Sequence, residues 1–90
     1  MATIRIPTPL RPYINGQSDL DIAGETVGQV LENLVHQYPA LRTHIFNDNG
    51  ELRPFVNLFL GEDNINDLQG ISTPLREGDR ILLIPSIAGG

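Results

Sequence analysis

Residues 78–90 read Gly78-Asp79-Arg80-Ile81-Leu82-Leu83-Ile84-Pro85-Ser86-Ile87-Ala88-Gly89-Gly90. Arg76-Glu77-Gly78-Asp79 is turn chemistry, and it leads the chain into a strand over Arg80 to Ile84. Four consecutive aliphatics predict burial on one face of that strand and a partly covered apolar surface on the other. So apolar a strand belongs inside a sheet, because an exposed edge would offer its unpaired backbone groups to other chains. Residues 1–84 then form one domain, and residues 85–90 a flexible tail that ends in Gly89 and Gly90.

Working backwards, Phe55 to Leu60 is a third strand, in which Asn57 would be costly in a core without partners. Phe55, Asn57 and Phe59 are therefore expected outward, with Val56, Leu58 and Leu60 inward. If Ile81 and Leu83 are buried, Leu82 and Ile84 share the outer face with Phe59. Scattered surface apolars are ordinary, but three together beside a tail suit a docking patch.

The helix of the domain lies upstream. Val27, Val30, Leu31, Leu34, Val35 and Tyr38 recur at spacings of three and four and build one apolar stripe. Thr26 and Gln29 occupy the two positions of a capping box, and Pro39 stops the helix by restricting Tyr38. Further upstream, Ile4 and Ile6 alternate with Thr3 and Arg5, and Leu20 and Ile22 with Asp19 and Asp21. Both patterns are strands, joined by a long loose loop rich in Pro, Asn and Gly. Leu41 to Phe46 holds a short helical turn, Asn47 to Gly50 a tight turn, and Gly61 to Asn64 another. Ile65 anchors a very short fourth strand and Thr73-Pro74-Leu75 a single helical turn. The fold class is α+β, a mixed sheet packed on one main helix.

Composition narrows the function. The chain has 90 residues, 40% hydrophobic and 19% charged, as expected for one soluble domain with a single core. A net charge of -5 opposes lasting contact with nucleic acid, which needs clustered cations, and suits a basic protein partner. No apolar run approaches the roughly 20 residues of a membrane span, and the prolines after Arg5 break any leader pattern. The expected location is the cytoplasm. Cysteine is absent, which removes disulfides, thiolate nucleophiles and thiolate metal sites. Glu62 with Asp63, and Glu77 with Asp79, sit in glycine-containing turns and read as solvated side chains rather than acid–base pairs. His36 and His44 lack zinc-site spacing. No nucleophile elbow, phosphate loop or dinucleotide fingerprint occurs, so an autonomous enzyme is not expected.

The Gly-Gly ending carries chemistry instead. At an average usage of roughly 7%, two terminal glycines arise by chance in about one chain in 200. Counted at roughly 3.3 to 3.6 Å per residue, residues 85–90 extend about 20 Å, enough to enter another protein's active site. Without Cβ atoms, the glycines pass a narrow channel and leave the last acyl carbon unshielded. A frayed terminus is the plainer alternative.

From end to end, this strand and helix order with its Gly-Gly tail resembles the ubiquitin-like β-grasp sulfur carriers. Gly78-Asp79-Arg80-Ile81 and Pro85-Ser86-Ile87-Ala88-Gly89-Gly90 are similar to the family's closing signature. Ile6-Pro7-Thr8, Leu10-Arg11-Pro12, Phe55-Val56-Asn57 and the Ala-Gly-Gly ending resemble the cysteine-biosynthesis branch more than the molybdopterin synthase small subunit or the thiamine-pathway carrier. Ala88 stands where ubiquitin has a basic residue, which argues against the eukaryotic modifier pathway. The resemblance implies that an adenylating enzyme activates the Gly90 carboxylate with ATP, and that a sulfur donor converts it to a thiocarboxylate. It further implies an acceptor synthase, a pyridoxal-phosphate cysteine synthase in the cysteine branch, and a metal-dependent peptidase that releases the product. The chain itself would bind no cofactor and no metal, and would act as a monomer in transient complexes. Gly90 and Gly89 are then the reactive residues, with Phe59, Leu82, Ile84 and Ala88 as partner-docking positions. A ubiquitin-like modifier that joins Gly90 to lysines is the rival from another class.

Overall fold

The computed structural model describes residues 1–54 and 56–85. The expected tail, with Ala88, Gly89 and Gly90, and the outward placement of Phe55 lie outside the described residues.

Five strands form one mixed sheet. They are β1 (Ala2–Arg5), β2 (Asp19–Ile22), β3 (Val56–Leu60), β4 (Asp63–Asn64) and β5 (Arg80–Pro85), in the spatial order β2-β1-β5-β3-β4. The aliphatic last strand is central, as its composition demands. It runs parallel to β1, with Ile4 beside Ile81, and antiparallel to β3, with Leu58 beside Leu83. Period-two alternation then sorts the side chains. Ile4, Ile22, Leu58, Ile81 and Leu83 are all buried on the inner face.

Helix α1 (Val27–Gln37) covers that face with Val27, Val30, Leu31, Leu34 and Val35, each almost wholly buried. Its start is secured as the sequence predicts, with one adjustment. The Thr26 hydroxyl accepts from the Gln29 N–H at 3.2 Å, while the Gln29 side chain accepts from the N–H of Glu25, one residue before the cap. Tyr38 is the C-cap rather than the last helical residue. A 3-10 turn (Pro39–Leu41) leads into the one-turn helix α2 (Arg42–Ile45), which places Leu41 and Ile45 in the core.

Three local expectations are corrected. The segment between β1 and β2 is not a loose loop, because a 3-10 helix over Thr8–Ile14 drives Leu10 and Ile14 into the core. Prolines at positions 9 and 12 tolerate this geometry, and Arg11 Nε closes it by donating to the Ile6 carbonyl at 3.0 Å. The fourth strand is Asp63–Asn64, paired with Leu60 and Phe59, and Ile65 instead opens a 3-10 turn that buries its side chain. Thr73-Pro74-Leu75 is extended rather than helical, and the 3-10 turn lies earlier, over Gly70–Ser72. A residue before proline is pushed out of the helical region. Thr73 accordingly adopts ψ 121°, and its carbonyl accepts from the Val27 N–H at 3.1 Å, satisfying a donor in the first turn of α1.

Candidate functional site

With one face of the sheet taken by the core, the other is left to solvent. Its centre is the predicted apolar group. Phe59 on β3 stands directly opposite Leu82 on β5, and Ile84 stands opposite Asn57 one pair further along. Phe59 and Leu82 are half-buried, while Ile84 is 39% exposed, a high value for a residue on the central strand. Among the described residues, no element crosses the outer face there to cover it. The structure thus brings Phe59, Leu82 and Ile84 together on one surface.

Polar side chains rim the patch. On β1 and β2, the Thr3 hydroxyl donates to Asp21 at 2.8 Å and Arg5 meets Asp19 at 3.4 Å. Arg5 pairs in register with Leu82, and Arg80 with Thr3, so both guanidinium groups border the apolar centre. A shallow depression lies between them, lined by Arg5, Gly61, Arg80, Ile81 and Leu82. Alternation alone could have found Arg5 and Arg80 on this face, but only the parallel pairing of β1 with β5 brings them side by side. The surface presents an apolar centre with charged margins.

The remaining sequence candidates lie elsewhere. Glu62 is an exposed turn residue and Asp63 belongs to β4. Glu77 pairs with the Met1 ammonium at 2.6 Å, and Asp79 accepts from the Arg76 N–H at 2.8 Å, closing the turn into β5. His44 rests against the Tyr13 ring with centroids 4.7 Å apart. Among the described residues, no three His, Cys, Asp or Glu side chains are grouped to hold a metal ion, and no helix is long and apolar enough to cross a membrane.

Strand β5 therefore joins two features: its outward residues make the patch, and its last residue, Pro85, leads into the Gly-Gly sequence. The ThiS family model matches residues 4–90, both features included. The chain belongs to the ThiS family. It is similar to the sulfur carrier protein CysO of Mycobacterium tuberculosis, at 31% identity over 90 residues, covering 98% of this chain and 97% of the relative. The crystal structure of that CysO superposes with a TM-score of 0.87 and 28% identity, over 97% of this chain and all (100%) of the other. The solution structure of small archaeal modifier protein 1 from Methanosarcina acetivorans matches with a TM-score of 0.87 and 32% identity, over 99% and 95% of the two chains. CysO in the Amycolatopsis orientalis BexX/CysO complex has the same fold, with a TM-score of 0.88 at 22% identity and full (100%) coverage of both chains. The fold of this ThiS-family chain is thus the ubiquitin-like β-grasp, as the resemblance in its sequence implied.

Proposed function

We propose that the chain is a sulfur carrier protein, whose outer sheet face docks partner enzymes while the carboxyl group of Gly90 carries the sulfur. The observation that supports this best is the course of β5, which displays Leu82 and Ile84 beside Phe59 and then passes into the Gly-Gly sequence. A partner that grips the face holds the start of the tail within about 20 Å of its catalytic centre. Binding and reactivity are thereby divided between the two ends of one strand.

The chemistry runs in two substitutions. A Gly90 carboxylate oxygen attacks the α-phosphorus of ATP in an adenylating enzyme, and pyrophosphate leaves. A sulfide equivalent from the sulfur donor then attacks the acyl carbon, and AMP departs with the electrons of the C–O bond to leave a thiocarboxylate. The chain's own part is to present an acyl carbon unshielded by side chains, which Gly89 and Gly90 do, and to align Ala88 in the partner's channel. The chain supplies no cofactor, since ATP is consumed by the partner.

Whole-length similarity to a sulfur carrier protein named CysO favours cysteine biosynthesis over the molybdopterin and thiamine branches. In that branch the thiocarboxylate sulfur, still bonded to the Gly90 acyl carbon, would displace the leaving group of an activated serine derivative held by a pyridoxal-phosphate cysteine synthase. The resulting thioester would shift its acyl group to the amine of the new cysteine, and a metal-dependent peptidase would hydrolyse that amide to release cysteine and the Gly90 carboxylate. The carrier works as a cytoplasmic monomer in transient complexes.

The test is the intact mass of the chain after incubation with ATP, a family adenylating enzyme and a sulfide source. A gain of about 16 Da, sulfur for oxygen, is expected where the nucleophile has displaced AMP; pyrophosphate release without that gain defeats the reading. Similarity to small archaeal modifier protein 1 supports a second reading, conjugation of Gly90 to lysines of other proteins. Gly-Gly remnants on lysine-containing peptides from cells would favour it. Offering the thiocarboxylate form to each acceptor synthase separates the three sulfur branches.

A further inference from the structure

An activated Gly90 is an electrophile, and the first nucleophiles it meets are those of its own chain. All six cationic side chains, Arg5, Arg11, Arg42, Arg53, Arg76 and Arg80, are arginine, and lysine does not occur in the 90 residues. Guanidinium groups remain protonated at any physiological pH and do not attack acyl carbons. Within these 90 residues the remaining aliphatic amine is the ammonium group of Met1, and the fold places it at the wrong pole. Because β1 and β5 are parallel, Met1 lies beside the beginning of β5, where its carbonyl accepts from the Gly78 N–H at 3.2 Å and its ammonium pairs with Glu77 at 2.6 Å. The Gly-Gly sequence follows the opposite end of the same strand. From Gly78 to Pro85 the strand covers about 23 Å. Five residues beyond Pro85 reach about 18 Å even when fully extended, so the acyl carbon falls short of the Met1 nitrogen.

We propose that the chain is built to be inert toward its own activated terminus: it donates its acyl or sulfur group outward and does not cyclise. The inference rests on the reading of Gly90 as the activated group. In the reaction so avoided, an amine nitrogen bonds to the acyl carbon, the leaving group departs with its electron pair, and the nitrogen loses a proton to solvent.

The test uses the full chain prepared as a Gly90 α-thioester, so that no adenylating enzyme is needed and a failure of the proposed function is not confused with a failure here. Arg5→Lys keeps the charge and plants an amine beside Leu82, about 10 Å from Pro85 and within reach of the tail. Arg76→Lys plants one near Met1, beyond reach. In dilute solution, the unsubstituted chain and Arg76→Lys are expected to hydrolyse to the carboxylate. Arg5→Lys is expected to form an internal amide, seen as an intact mass lower by one water, in about tenfold or greater excess over the other two. Cyclisation of the unsubstituted chain, or equal yields from the two variants, would overturn the inference. So would an Arg5→Lys chain that only hydrolyses.

Discussion

Gly24 shows how much a single residue can decide in a fold this small. A Cβ built there would lie 2.7 Å from both the backbone nitrogen and a methyl group of Val30, in the first turn of α1. The chain leaves β2 and enters the helix too tightly for any side chain, so Gly24→Ala forces backbone apart and is expected to cost about 1–3 kcal/mol by urea unfolding. Phe59 is the opposite case. It stands opposite Leu82 on the outer face of the sheet and is not part of the buried core, so its loss does not open a core cavity. Roughly 1.5 to 3 kcal/mol for burying such a side chain predicts that Phe59→Ala weakens activation about tenfold or more while the domain stays folded. ATP–AMP exchange kinetics compare the two proteins directly, and unchanged kinetics would remove Phe59 from the docking patch. Both roles were partly legible. Alternation put Phe59 on the outer face and Gly24 follows the Leu20–Ile22 pattern by two residues, but the close approach of Gly24 to Val30 is a tertiary fact.

Among the elements, α1 was the most legible, because a stripe repeated at three and four positions has no other good solution than burial against a flat partner. Its cap is independent of that packing. Thr26→Ala removes the acceptor for the Gln29 N–H and is expected to cost about 0.5–2 kcal/mol, read as a lower urea midpoint with an unchanged slope. The 3-10 segments were the least legible. Their hydrogen bonds span only three residues, they are short, and they leave no sustained period to detect. Leu10 and Ile14 therefore looked like loop residues, although both belong to the core. The same weakness hid the 3-10 turn at Gly70–Ser72 and suggested a helix at Thr73-Pro74-Leu75, where the pre-proline restraint already argued for extension.

For the whole molecule, stability and the proposed reactivity should be separable, because among the described residues the hydrophobic cluster is drawn from residues between Ala2 and Leu83. Deleting Gly90 is accordingly expected to leave the thermal midpoint unchanged and to abolish the mass gain on incubation with ATP, adenylating enzyme and sulfide. A truncated chain that still acquires sulfur would place the acceptor group elsewhere. The sequence by itself determined the periodic elements, the inward and outward faces of β3 and β5, the absence of thiol chemistry and the Gly-Gly ending, since each of these is a local property of residue type and spacing. Only the tertiary structure decided that β5 is flanked by β1 in parallel and β3 in antiparallel. That neighbour relation sets Phe59 against Leu82, brings Arg5 and Arg80 to the same margin, and carries the Met1 ammonium to the far end from Pro85. Strand pairing joins residues more than 70 positions apart in the chain, as Thr3 with Arg80, and no local spacing encodes such a contact. It follows from burying one shared apolar face under α1, a constraint that acts on all the strands at once.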